Sequence, residues 1–206
     1  MRLADRLSPP ILALTSCLAL ASTPAAAATL LVSATGVLTG ATGVKVNDTL
    51  YDVEFVDGTC AAVFTGCDSV SDFTFTTASD AETASEALLL IVFRDVDQGT
   101  FDSTPNLTLG CTRLEVCIAE TPFGFNSVIG ATSFFVSQNG GAVGGFEDRA
   151  VLVEYFQPLD SAAFDEFVYA RWTEIGPAAV PQPATLTLLG LGLAGMGARR
   201  WRRKAA

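Results

Sequence analysis

Asp95, Asp97 and Asp102 stand around Gly99 in the stretch RDVDQGTFD. Oxygen-rich loops with a turn glycine are what Ca²⁺ binds. The stretch lacks the third ligand position and the closing bidentate glutamate of an EF-hand loop. We therefore expect an acidic surface loop and assign no metal ligand. Paired carboxylates can hydrolyse glycosidic bonds without any other group. Between Thr29 and Pro183 there are 21 acidic side chains, but their spacing singles out no pair. The chain has no histidine, which removes His-based triads, imidazole metal ligands and the commonest general base. No G-x-S-x-G elbow, P-loop or dinucleotide fingerprint occurs. No catalytic residue and no cofactor is assigned, and the expectation is a protein that is not an enzyme.

Cysteine supplies the other reactive set. Cys60, Cys67, Cys111 and Cys117 remain once Cys17 is set aside with a leader segment. An even number in an exported chain implies disulfides formed in an oxidising compartment. Three pairings are possible. The local ones, Cys60 with Cys67 and Cys111 with Cys117, are favoured because each brackets one short loop. A four-thiolate zinc site is the competing reading, but structural zinc favours spacings such as C-x2-C, and here the gaps hold six and five residues.

The leader is read from charge and apolarity. Arg2 and Arg6 precede the apolar run ILALTSCLALA, and STPAAAA supplies small residues of the A-x-A kind. A signal peptide over 1–28 places the first mature residue at Thr29. Reading Leu14 to Cys17 as a lipoprotein signal is the rival, set aside because the apolar run continues past Cys17. The far end is the mirror case. Pro181 and Pro183 keep the chain extended ahead of an uncharged stretch, 184–198, followed by Arg199, Arg200, Arg202, Arg203 and Lys204. As a helix that stretch rises about 22 Å, short of a hydrocarbon core of about 30 Å, a shortfall that snorkelling arginines and local thinning can offset. The arginine cluster would hold the C-terminus on the cytoplasmic side.

Between the ends lie only five basic residues, Lys45, Arg94, Arg113, Arg149 and Arg171, against the 21 acids, a formal balance of −16. Such a body repels nucleic acid and anionic surfaces. No nucleic-acid partner is expected.

About 150 residues make one domain. TLLVSA, GVKVN and TLYDVEFV read as strands; in the last, Tyr51, Val53 and Phe55 alternate with Asp52 and Glu54. DFTFTT repeats the alternation. Ser79-Asp80-Ala81-Glu82 has the form of a capping box, and Ala81, Ala84, Leu88, Ile91 and Val92 follow at helical spacing, predicting a helix over 79–93. TRLEVCI, TSFFVSQ with a turn at Asn139-Gly140, AVLVEYF and EFVYARW complete the strands. The fold class is mainly β, a β-rich α+β body with an antiparallel, sandwich-like sheet and one helix, plus a short C-terminal transmembrane helix. Trp172, Tyr155 and Tyr169 could form a sugar-binding surface if exposed, but their strands are strongly apolar and burial is expected. Asn47-Asp48-Thr49 and Asn106-Leu107-Thr108 fit the N-x-[ST] pattern, which arises often by chance.

The tail in this order resembles the PEP-CTERM sorting signal. Val180-Pro181-Gln182-Pro183 occupies the V-P-E-P position, with glutamine where glutamate is commonest; ATLTLLGLGLAGMGA is similar to the family's span and RRWRRK to its basic end. The stretch TLYDVEFVDGTCAAVFTGCD with the alanine-rich helix resembles the ectodomain of a group of such proteins with no established activity. The resemblance implies a Gram-negative, often biofilm-forming source and export through Sec-type machinery. It also implies an inner-membrane intermediate, processing by exosortase, and a final place at the cell surface or outside the cell. Extracellular polysaccharide is the further partner it suggests. The expected organisation is a signal peptide (1–28), an acidic β-rich ectodomain (29–176), an extended linker with the motif (177–183), a short span (184–198) and a basic cytoplasmic tail (199–206). The leading function is a non-enzymatic surface or matrix protein. The alternatives are a polysaccharide- or calcium-binding module and a carboxylate-dependent hydrolase.

Overall fold

The structure is a computed structural model that describes residues 27–156 and 160–177. The expected leader before Ala27, the motif Val180–Pro183, the span 184–198 and the basic tail from Arg199 to Lys204 lie outside the described residues. No described helix is long and apolar enough to cross a membrane.

The body is mainly β. Its strands are β1 (Thr29–Val32), β2 (Leu38–Val46), β3 (Thr49–Val56), β4 (Asp95–Val96), β5 (Gly99–Thr100), β6 (Val116–Asn126), β7 (Ala131–Gly140), β8 (Arg149–Tyr155) and β9 (Phe167–Pro177). Seven of them form one sheet in the order β1-β2-β3-β9-β6-β7-β8, while β4 and β5 pair as a small hairpin. Every neighbouring pair in the large sheet is antiparallel except β6 and β9, which run parallel from Ile118↔Phe167 to Glu120↔Tyr169. The last strand in sequence thus sits at the centre of the sheet and joins its two antiparallel halves.

The expected mainly β, antiparallel body is realised as one large sheet whose two faces are covered by helix and loop. One face packs under α2 (Ala78–Ala87), where Ala81, Ala84, Leu88 and Val92 meet Val53, Phe55, Val168, Ala170 and Trp172 in the larger apolar cluster. The other carries α1 (Cys60–Val63) and its disulfide loop, where Phe64, Cys67 and Phe73 cover Phe134, Val136 and Tyr169. Small alanines on α2 let its backbone approach the sheet closely, which suits a helix that must fill a thin layer.

The helix forms where its spacing predicts, with two differences. The cap is Thr77, whose hydroxyl accepts the Asp80 N–H at 3.2 Å and donates to the Asp80 carboxylate at 2.7 Å. Ser79 is already inside the first turn, where its carbonyl accepts from the Thr83 hydroxyl. Both Thr77 and Ser79 satisfy the cap preference, and the earlier one wins because Ala78 can continue the helix. The last turn, Leu88–Val92, widens to a π-helix, which lets the bulky run LLLIV bury Leu88 and Val92 together.

DFTFTT is not a strand. Residues 70–72 make a 3₁₀ turn, after which Phe73 joins one apolar cluster and Phe75 the other. Thr74, between them, donates to the Trp172 carbonyl at 2.6 Å. The segment therefore crosses from one face of the sheet to the other beside β9, beyond the last β6–β9 pair. Its alternating phenylalanines serve two cores without a ladder partner. Asn139 and Gly140 are also not a turn: they end β7 opposite Cys117 and Val116. The buried Asn139 amide donates to the Phe101 carbonyl at 2.8 Å, so a tertiary partner overrides the turn preference of Asn-Gly.

Cys60 is bonded to Cys67 and Cys111 to Cys117, with Cα atoms 5.7 and 5.5 Å apart. The first bond closes the α1 loop, in which Thr65 and Cys67 both adopt φ 58°. The second ties the start of β6 to the loop before it.

Candidate functional site

The carboxylate that stands out is one the spacing does not reveal. Glu120, in the middle of β6, is fully buried. It pairs across the sheet with Val136 on β7 and Tyr169 on β9, and it lies on the face covered by the α1 disulfide loop. Neither carboxyl oxygen has a well-formed hydrogen bond among the described residues. Burial pushes its pKa up to about 8, and the phenols of Tyr155 and Tyr169, its polar neighbours, only partly offset this. Glu120 is therefore mainly a neutral acid at pH 7. In return, burial and the Glu120 carboxyl push Tyr155 up to about 12 and raise Tyr169 further. The sequence does carry a signal for this. Cys117, Ala119 and Thr121 point to one apolar face and Ile118 and Glu120 to the other, so a strand covered on both sides must bury whatever occupies position 120.

Trp172 and Tyr169 are buried as expected, and Tyr155 is half-buried. Trp172 donates its indole N–H to the Thr121 hydroxyl at 3.2 Å and packs edge-on against Tyr51 and Phe75. These rings fill the core and leave no aromatic platform of their own for a sugar.

A shallow depression of about 450 Å³ opens where the α1 loop stops covering the sheet, over β1, β2, β3 and the far half of β9. Asp52, Glu54, Arg171, Thr39, Thr42 and Thr173 supply its polar lining. Asp52 and Glu54 share one face of β3, so their backbones are only about 6.6 Å apart along one wall. Glu54 accepts from Arg171 at 2.6 Å, and Asp52 accepts the Gly43 N–H at 2.9 Å. Both carboxylates are thus engaged with groups of the sheet, on one wall and not across a cleft. Glycosidase pairs flank their bond from opposite sides. The depression suits hydrogen bonding to a polar surface better than cleavage.

In the acidic loop, Asp95 accepts the N–H groups of Asp102 and Ser103, each at 3.1 Å, and the Ser103 hydroxyl. Those bonds, the Ser103 hydroxyl's first, hold its pKa below the usual carboxylate range. Asp102 turns the other way, its pKa raised by burial and then by Asp148. Asp95 thus braces the turn with its own carboxylate. No group of three or more His, Cys, Asp or Glu placed to hold a metal ion occurs among the described residues.

The two ends of the body complete the geometry. Thr29, the expected first mature residue, is the first residue of β1, and Ala28 already packs against the larger apolar cluster. At the other end Pro177 closes β9 opposite Thr49, with two residues between it and position 180. Residues 179–204 match the family model of the PEP-CTERM protein-sorting motif. No curated protein and no solved structure matches the chain. The match takes in the tail alone, so the chain carries the sorting motif of an exosortase substrate: an exported protein, membrane-associated and then at the surface or outside the cell.

Proposed function

We propose that the acidic body is a non-enzymatic passenger, a surface or matrix protein delivered by its tail into the exopolysaccharide-rich layer around the cell. The observation that carries this reading is the order of the chain: a disulfide-stapled sheet whose central strand passes within two residues into the matched sorting segment. The lack of histidine and the engagement of Asp52 and Glu54 with neighbouring groups of the sheet support a body without catalysis. The formal balance of −16 between Thr29 and Pro183 supports solubility outside the cell.

A second reading, a polysaccharide-binding module, is favoured by one feature, the open depression lined by Arg171, Glu54, Asp52 and three threonines. It would hold sugar hydroxyls by hydrogen bonds, without stacking.

The test of the first reading is replacement of Arg199, Arg200, Arg202, Arg203 and Lys204 by glutamine in the producing cell. The precursor should mislocalise and mature poorly, whereas Asp52→Asn or Glu54→Gln should leave maturation unchanged. Normal maturation of the tail-neutralised chain would overturn the sorting account.

A further inference from the structure

Four of the large apolar side chains on the body's surface lie at one end of the sheet. β6 runs parallel to β9, so its hairpin with β7 turns at the same end at which β9 finishes. That hairpin tip exposes Val128 at 90% and Ile129 at 49%. β8 ends there too, followed by Phe156, exposed at 72%. On β9 itself, Gly176 faces Leu50 and Glu174 faces Tyr51, leaving Ile175 as the extra residue of a bulge, 53% exposed. Bulges of this kind re-aim a side chain away from its ladder.

Both routes to the membrane leave from this end. Pro177 is the last residue of β9, and the six residues from 178 to 183 can reach no farther than about 20 Å even when fully extended. β1 runs antiparallel to β2, so Thr29, where the leader joins, also lies toward the end at which β2 and β3 turn. The tip 127–130 carries no charge, and Asp48, on the neighbouring turn, is paired with Lys45 at 3.6 Å.

We propose that this end of the sheet rests on the lipid surface of the membrane that holds the tail, with Val128, Ile129, Phe156 and Ile175 entering the headgroup boundary. The inference rests on the reading that residues 184–198 enter that membrane. Interfacial side chains of this kind sink about 5–10 Å into the headgroup region, and the tether supplies the effective concentration that four side chains alone would not. The contact depends on the tether. It is lost when the tail is cut, so the same patch releases the body after processing.

The test uses the leader-cleaved precursor with its tail intact, one copy per phosphatidylcholine nanodisc whose lipid carries a quencher near the headgroup. Its four cysteines are in disulfides, so Val128→Cys, Phe156→Cys, Leu114→Cys and Gly192→Cys can each be labelled alone with an environment-sensitive dye. Leu114 is exposed at 55% and apolar but precedes β6, at the opposite end of the sheet. The expected result is strong quenching and blue-shifted emission at 192, 128 and 156, with none at 114. Quenching at 192 without quenching at 128 and 156 would overturn the proposal while leaving the tail inserted. Equal quenching at 114 and 128 would overturn it as mere crowding against lipid. No quenching at 192 would remove the inserted tail and the proposal with it.

Discussion

Pro177 stands opposite Thr49, so the strand that leads to the sorting segment is paired up to its final residue against the start of β3. In sequence, only Ala178 and Ala179 separate Pro177 from the motif. Deleting them should cut the processed fraction several-fold, because an enzyme cleft must then accept a segment still held in the ladder. Inserting a few glycine and serine residues at the same point should leave processing intact. Quantifying precursor and mature bands by mass checks both.

Glu120 should make stability pH-dependent in an unusual direction. Its folded pKa, about 8, lies above its ordinary value of 4.5, so the folded state binds the extra proton between those values. The contribution of Glu120 to stability is then fully present below about pH 4.5 and falls by up to about 1.4 kcal/mol per pH unit as pH rises toward 8. Glu120→Gln keeps the volume and removes the titration. Its melting temperature should exceed that of the wild type at pH 7.5 and approach it at pH 4.5. Parallel curves for the two proteins would refute the neutral buried acid.

The α1 loop should depend on its bridge. Replacing Cys60 and Cys67 by alanine together should cost about 2 kcal/mol in the chain-entropy account, and denaturant unfolding measures it. The loss should also loosen the cover over Glu120, so hydrogen exchange in β6 and β9 should rise with it.

Thr65 is exposed with φ 58°, a conformation that a β-branched residue resists. Thr65→Gly should stabilise the body by about 1 kcal/mol, the relief of strain exceeding the added freedom of the unfolded chain. A fall in denaturation midpoint would show that the threonine contributes something beyond its backbone.

How far these features are legible in the chain depends on how local their causes are. The alanine spacing over 78–87, the local cysteine pairs and the alternation of β3 are set within a few residues, and the fold realises each. The sorting segment is legible for the same reason: motif, span and charges follow one another in order. Thr77 displaces Ser79 as the cap, Phe73 and Phe75 part to opposite faces, and Asn139 leaves its turn for the Phe101 carbonyl. The first is a choice between two equal caps two residues apart, and in the other two a distant partner decides between local options that the chain leaves equal. Glu120 was masked by number, one acid among 21; the apolar neighbours of its strand are the signal for its burial, and the parallel join of β6 to β9 shows why that strand is central.

The most direct test of the central claim is the intact mass and C-terminal peptide map of the protein recovered from medium, surface and membrane fractions of the producing cell. The account expects a species outside the inner membrane that starts near Thr29, ends between Val180 and Pro183, and keeps both disulfides. A chain that remains in the membrane with Arg199 to Lys204 still attached would contradict it, and would make the tail a permanent anchor.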